Sequence, residues 1–132
     1  MSAFAKGTFT VEMKPQSDPS VDDGVGLGRV CLDKHFAGDL VAASQGEMLT
    51  ALTPVKGSAG YVAIERVTGT LSGRSGSFVF QHTGTMTRGA QQLSITVVPD
   101  SGTGALVGIA GVFKLNIVDG KHFYEFEYSL PQ

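Results

Sequence analysis

Glu65 and His82 are the two side chains whose types and placement suit joint chemistry. Both lie in the stretch Tyr61 to Met86, where alternating residues flank Ser72-Gly73-Arg74-Ser75-Gly76. Alternation marks a half-buried strand, and a Gly/Ser cluster between two such runs marks a hairpin turn. With an even number of loop residues, Leu71 is expected opposite Phe78, Gly69 opposite Phe80, Val67 opposite His82 and Glu65 opposite Gly84. Leu71, Val67, Ala63, Tyr61, Phe78, Phe80 and Met86 then share one face, and a slip of one residue would mix the faces. Phe80 would also cover Gly69, as an aromatic ring can cover a strand glycine. Glu65 and His82 point to this apolar face on a diagonal, roughly 5–8 Å apart at Cβ. Val62, Ile64 and Val79 fall on the other face, an apolar set that suits a subunit interface.

A carboxylate on an apolar face costs several kcal/mol unless it is paired or protonated, and a nearby imidazole is a natural partner. Two roles follow. The pair is structural, or it is the polar base of an apolar pocket. In the second case burial raises the Glu65 pKa, and Glu65 and His82 are candidates for acid–base work. The expected ligand-binding set is Tyr61, Glu65, Phe78, Phe80, His82, Phe126 and Tyr128, with Phe9 on the same wall. Apolar walls with a few convergent polar groups are the usual character of small-molecule sites. The opposing expectation is an interior filled by Phe and Leu, in a protein that works through its surface.

Other chemistries find little support. His35, His82 and His122 sit on separate strands, His35 opposite Phe36 and His122 beside a turn where it should be exposed, so no metal site is expected. Cys31 is the sole cysteine, which rules out an internal disulfide and a cysteine zinc site, and it reads as a small apolar residue. No Gly-x-Ser-x-Gly elbow precedes a helix. In the glycine-rich run that starts at Gly102, the sixth residue is Val107, and FKLNIV then alternates as a strand. Neither a dinucleotide fingerprint nor a P-loop fits, and no cofactor is expected.

The elements that would position the pair can be read in order. Residues 4–13 alternate as a first strand that ends at Pro15. PQSDPSVDDGVGLG, residues 15–28, is expected as a long loop with the potential of a lid. Its Asp18, Asp22 and Asp23 lack the spacing of a calcium loop. Residues 29–36 form a strand with Val30, Leu32, Lys34 and Phe36 on one face. Leu40 to Thr53 continues extended, with a bend at Gly46 and Glu47 as a second candidate inward carboxylate. Residues 92–98 make another strand. In the glycine-rich turn, Leu106, Val107 and Ile109 should plug one end of the core. Val112 to Val118 and His122 to Leu130 close the chain as a hairpin about Asp119-Gly120, a strong type I′ signal. Tyr124, Phe126 and Tyr128 face inward. No helix longer than about two turns is visible.

Composition agrees. The 132 residues, 42% hydrophobic and 17% charged, suit one globular domain spanning 1–132. Eighteen glycines and no Trp suit an all-β fold with tight turns. The net charge of −2 and scattered Lys and Arg give no basic patch for nucleic acid. The N-terminus alternates like a strand and lacks a signal-peptide core, and no run approaches a membrane span, so cytoplasmic placement without membrane contact is expected. A homo-oligomer, dimer or trimer, is the expected assembly.

The run GYVAIERVTGTLSGRSGSFVFQHTGTM resembles the signature segment of an uncharacterised bacterial domain family, and SGTGALVGIAGVFKL resembles its glycine-rich segment. The likeness extends from about Gly7 to Tyr128 and, in looser form, to plant dirigent proteins and allene oxide cyclases. It implies an allene-oxide-cyclase-like antiparallel barrel. It brings no established activity, although cyclisation or isomerisation becomes conceivable. Strand count leads the same way. Roughly eight short-linked strands suit a closed barrel that removes sheet edges and holds one small ligand or is filled by side chains.

Overall fold

The computed structural model describes residues 2–16 and 20–131. Nine strands follow in chain order: β1 (Ser2–Pro15), β2 (Ser20–Asp22), β3 (Val25–Gly38), β4 (Leu40–Leu52), β5 (Ala59–Leu71), β6 (Arg74–Thr87), β7 (Ala90–Val97), β8 (Ala110–Val118) and β9 (Lys121–Ser129). The first strand is long enough to serve two neighbours. Its N-terminal half pairs with β9 and its C-terminal half with β3. The sheet therefore closes through β1, β9, β8, β7, β6, β5, β4 and β3 into an all-antiparallel barrel of eight strands, with β2 appended to β3. This is the all-β barrel expected from the alternating runs. Among the described residues, no helix is long and apolar enough to cross a membrane.

The central hairpin keeps its expected faces and changes its register. Ser72 and Gly73 have φ of 46° and 85°, a two-residue type I′ turn. Arg74 to Gly76 are strand, not turn. Leu71 pairs with Arg74, Val67 with Phe78, Glu65 with Phe80, Ala63 with His82 and Tyr61 with Gly84. Each partner moves by an even number of residues, so no side chain changes face. The glycine covered by a ring is Gly84, beneath Tyr61, rather than Gly69 beneath Phe80. Gly76 read as a turn glycine, yet its role is close approach: a Cβ there would lie 2.1 Å from the Thr103 carbonyl oxygen.

The expected 15–28 loop is also mostly strand. β2 and the start of β3 form a hairpin about Asp23-Gly24, whose φ values are 51° and 79°. The Asp and Gly content encodes a type I′ turn here, not a lid. Asp22 and Asp23 are exposed at this turn, and Asp18 lies outside the described residues. Glu47 points outward and pairs with Arg29 at 3.4 Å. Val79 is partly covered, because Val98 N donates to its carbonyl and its own N–H donates to Ser101 Oγ. Val62 and Ile64 remain exposed.

One end of the barrel is solid. The rings of Phe78, Phe80, Phe113 and Phe126 meet with centroids 4.9–6.0 Å apart, and Leu106 and Ile109 seal that end from the 3-10 turn Gly104–Leu106 and the link after it. Val107 faces solvent instead of joining the plug. Tyr124 ties β9 to the β3–β4 connection. Its hydroxyl accepts from the Leu40 N–H at 2.9 Å and donates to the Ala37 carbonyl at 2.9 Å. Tyr124→Phe leaves the buried Leu40 N–H without its acceptor and is expected to cost about 1–3 kcal/mol, read from urea unfolding midpoints with an unchanged slope.

Candidate functional site

Glu65 lies in the middle of β5 and is 1% exposed. Its partners come from three strands. Lys34 on β3 donates from Nζ to Oε1 at 3.0 Å, His82 on β6 meets the same oxygen through Nε2 at 2.5 Å, and Ser44 on β4 donates to Oε2 at 2.5 Å. The diagonal expected between Glu65 and His82 exists, in the corrected register. Lys34 and Ser44 were not anticipated as partners. Lys34 carried the same signal as Glu65, a charge on an apolar face between Leu32 and Phe36. Ser44 carried none beyond its place in an alternating run.

Gly46 makes the cluster sterically possible. It sits on β4 directly between Leu32 of β3 and Glu65 of β5. A Cβ at Gly46 would lie 2.6 Å from Glu65 Cβ and 2.4 Å from the Ile64 carbonyl oxygen. Lys34 of β3 meets the Glu65 carboxylate across β4. What read as a bend in the sequence is a close approach of β4 to Glu65.

The electrostatics reverse one expectation. Burial pushes the Glu65 carboxyl upward, but the His82 hydrogen bond, the Lys34 charge and the Ser44 hydroxyl together outweigh it and hold the pKa at about 2. Glu65 is therefore an ionised acceptor and not an acid or base poised near neutrality. With the carboxylate able only to accept, His82 Nε2 carries the proton it shares with Oε1. Tyr61 stands next to this group, its ring centroid 6.5 Å from that of His82. Burial first, and the Glu65 charge second, raise its phenol pKa.

Beyond the cluster, the barrel opens into a cavity of about 420 Å³. Every barrel strand contributes to its wall, among them Phe9 (β1), Leu32 and Lys34 (β3), Met48 (β4), Tyr61 (β5), His82 and Met86 (β6), Leu93 (β7), Leu115 (β8) and His122 (β9). Of the residues expected to bind a ligand, Tyr61 and His82 line this space, and Glu65 stands behind Lys34 and His82. Phe78, Phe80, Phe126 and Tyr128 pack in the solid end. Alternation marks which residues point inward but not how far along the barrel they lie. His122, expected to be exposed by its turn, is half-buried against Phe9 with ring centroids 4.9 Å apart. The wall is weakest between β7 and β8, whose ladder is reduced to Thr96 opposite Val112. Among the described residues, no cluster of three or more His, Cys, Asp or Glu side chains is placed to hold a metal ion.

Because the Glu65 pKa falls on folding below its ordinary 4.5, its contribution to stability is complete above about pH 5 and is lost as the pH drops toward about 2. Glu65→Gln leaves Lys34 buried without its counter-charge. It should cost about 3–5 kcal/mol at neutral pH. Denaturant titrations of both proteins across the acid range should show this difference shrinking toward low pH. A constant difference would contradict the ionised assignment.

Residues 5–128 match a family described as a protein of unknown function, DUF3224. A solved structure of a protein with unknown function from that family, from Shewanella oneidensis MR-1, is 50% identical over 100% of this chain and 99% of that chain, with a TM-score of 0.95. No curated protein matches. The uncharacterised family read from the hairpin and the glycine-rich run is thus DUF3224, and the chain belongs to it.

Proposed function

We propose that this barrel binds a small apolar molecule in the cavity beside the Glu65 cluster. One observation carries the reading: about 420 Å³ of space bounded mostly by apolar side chains, with Lys34 and His82 as its buried polar floor. Cavities of this size, apolar with few polar groups, are where small ligands bind. The mouth adds support. Met13, Leu52, Leu93 and Ile117 line the cavity and are also substantially exposed, and a bound molecule would cover some of that surface. The reduced β7–β8 ladder is the natural way in.

Glu65 acts in this reading as a positioning residue for Lys34 and His82. Its low pKa makes it a weak base, which favours binding over the acid–base turnover considered for it. The looser likeness to dirigent proteins and allene oxide cyclases accords with a barrel whose interior accepts a small molecule, and it assigns no residue roles. Cytoplasmic location belongs to the same proposal.

The rival reading, a filled barrel working through its surface, conflicts with the open interior. Its outer apolar patch persists in part. Leu49, Val62 and Ile64 are each at least half exposed on neighbouring strands, so self-association through this face is compatible with ligand binding.

The test is a cavity-filling variant. Prodan, a neutral dye that brightens in apolar surroundings, should bind the wild type. Met48→Trp, which places an indole in the cavity, should weaken it by about tenfold or more, equivalent to about 1.4 kcal/mol. Equal binding to both proteins would place the dye elsewhere and remove the reading.

A further inference from the structure

The floor of the cavity presents the Lys34 ammonium and conceals the Glu65 carboxylate. Glu65 accepts from Lys34 and His82 on one oxygen and from Ser44 on the other. It is not part of the cavity wall, whereas Lys34 and His82 are. An entering molecule therefore meets the Lys34 ammonium before it meets the carboxylate. An ammonium has three N–H donors, and Lys34 commits one to Glu65. Among the described residues, its other recorded contact is the Phe9 ring, 5.3 Å from Nζ to centroid. Two donors of a buried cation thus lack a stronger partner. Oxygen acceptors satisfy such donors, and charged acceptors form bonds roughly twice as strong as neutral ones.

The wall supplies a second and independent selection. Met13, Met48 and Met86 line the cavity together with Phe9, Tyr61 and His122. Thioethers adapt their shape and pack favourably against aromatic rings. Aromatic side chains take a further ring in offset or edge contact. Three flexible sulfur-bearing chains beside three rings form a surface suited to a flat aromatic body.

We propose that the cavity takes an aromatic monocarboxylate, its ring among the methionines and its carboxylate on Lys34 Nζ. The proposal rests on the cavity reading above and specifies its ligand. A ligand ammonium in the same place would face the like charge of Lys34. An alcohol would form only a neutral hydrogen bond. Glu65 keeps Lys34 aimed and neutralises its charge when the cavity is empty.

Phenylbutyrate, phenylbutanol and phenylbutylamine share a ring and linker and differ in the terminal group. Calorimetric titration near neutral pH should show phenylbutyrate binding the wild type about tenfold or more tightly than the other two. Lys34→Met, its fold checked by circular dichroism, should bring the three within about threefold of one another. Met48→Trp should remove binding of all three. Equal affinities on the wild type, with Met48→Trp still abolishing them, would overturn the carboxylate assignment and leave the cavity reading standing. If none of the three binds, or if binding is indifferent to Met48→Trp, both are overturned. The wild-type series decides the assignment even where Lys34→Met does not fold.

Discussion

Glu65 brings a full negative charge into a barrel interior, where an unpaired carboxylate would cost several kcal/mol. Three donors meet that cost, and each comes from a different strand: Lys34 from β3, Ser44 from β4 and His82 from β6. Between them runs β4, and the missing side chain at Gly46 lets β4 lie close against Glu65. The cluster therefore constrains the relative register of four neighbouring strands. A slip of one residue in any of them would turn a buried charge outward or leave its partner behind.

Such a cluster is a poor device for stability alone. Well-packed apolar residues of similar volume often do as well as a buried ion pair, or better. The same barrel shows that solution at its other end, where four phenylalanine rings and the Leu106–Ile109 plug fill the space. The interior is thus divided. One half is packed, and the other is lined but unfilled, with the charged group at the boundary. This division, more than the presence of a barrel, argues for binding. Barrel folds host many unrelated activities, and a fold likeness transfers none of them.

The same charge cluster sets what the cavity can offer. With both Glu65 oxygens engaged behind them, Lys34 and His82 are the polar groups that face inward. The Lys34 and Glu65 charges compensate each other, and the remaining Lys34 N–H groups are the donors on the cavity side. Relatedness does not add to this. The 50% identical protein from Shewanella oneidensis shares the fold and is itself of unknown function.

Composition and alternation were enough to read the all-β class, the inward faces, the Asp119-Gly120 hairpin and the meeting of Glu65 with His82. These are local properties. A period of two places side chains on faces, and a buried carboxylate needs a partner whatever the final packing. The extent of turns was less legible. Ser-Gly and Asp-Gly within polar stretches specified two-residue turns, while the surrounding Arg74-Ser75-Gly76 and Val25-Gly26-Leu27 looked like loop and are strand. Tertiary structure alone decided which inward residues share a level of the barrel. That level placed Lys34 and Ser44 on Glu65, put Phe78, Phe80, Phe126 and Tyr128 in the solid end, and turned His122 against Phe9. The physical reason is that strand periodicity carries no information on stagger between strands distant in sequence. Closure of β1 onto both β9 and β3 fixes that stagger, and with it the depth of every side chain inside.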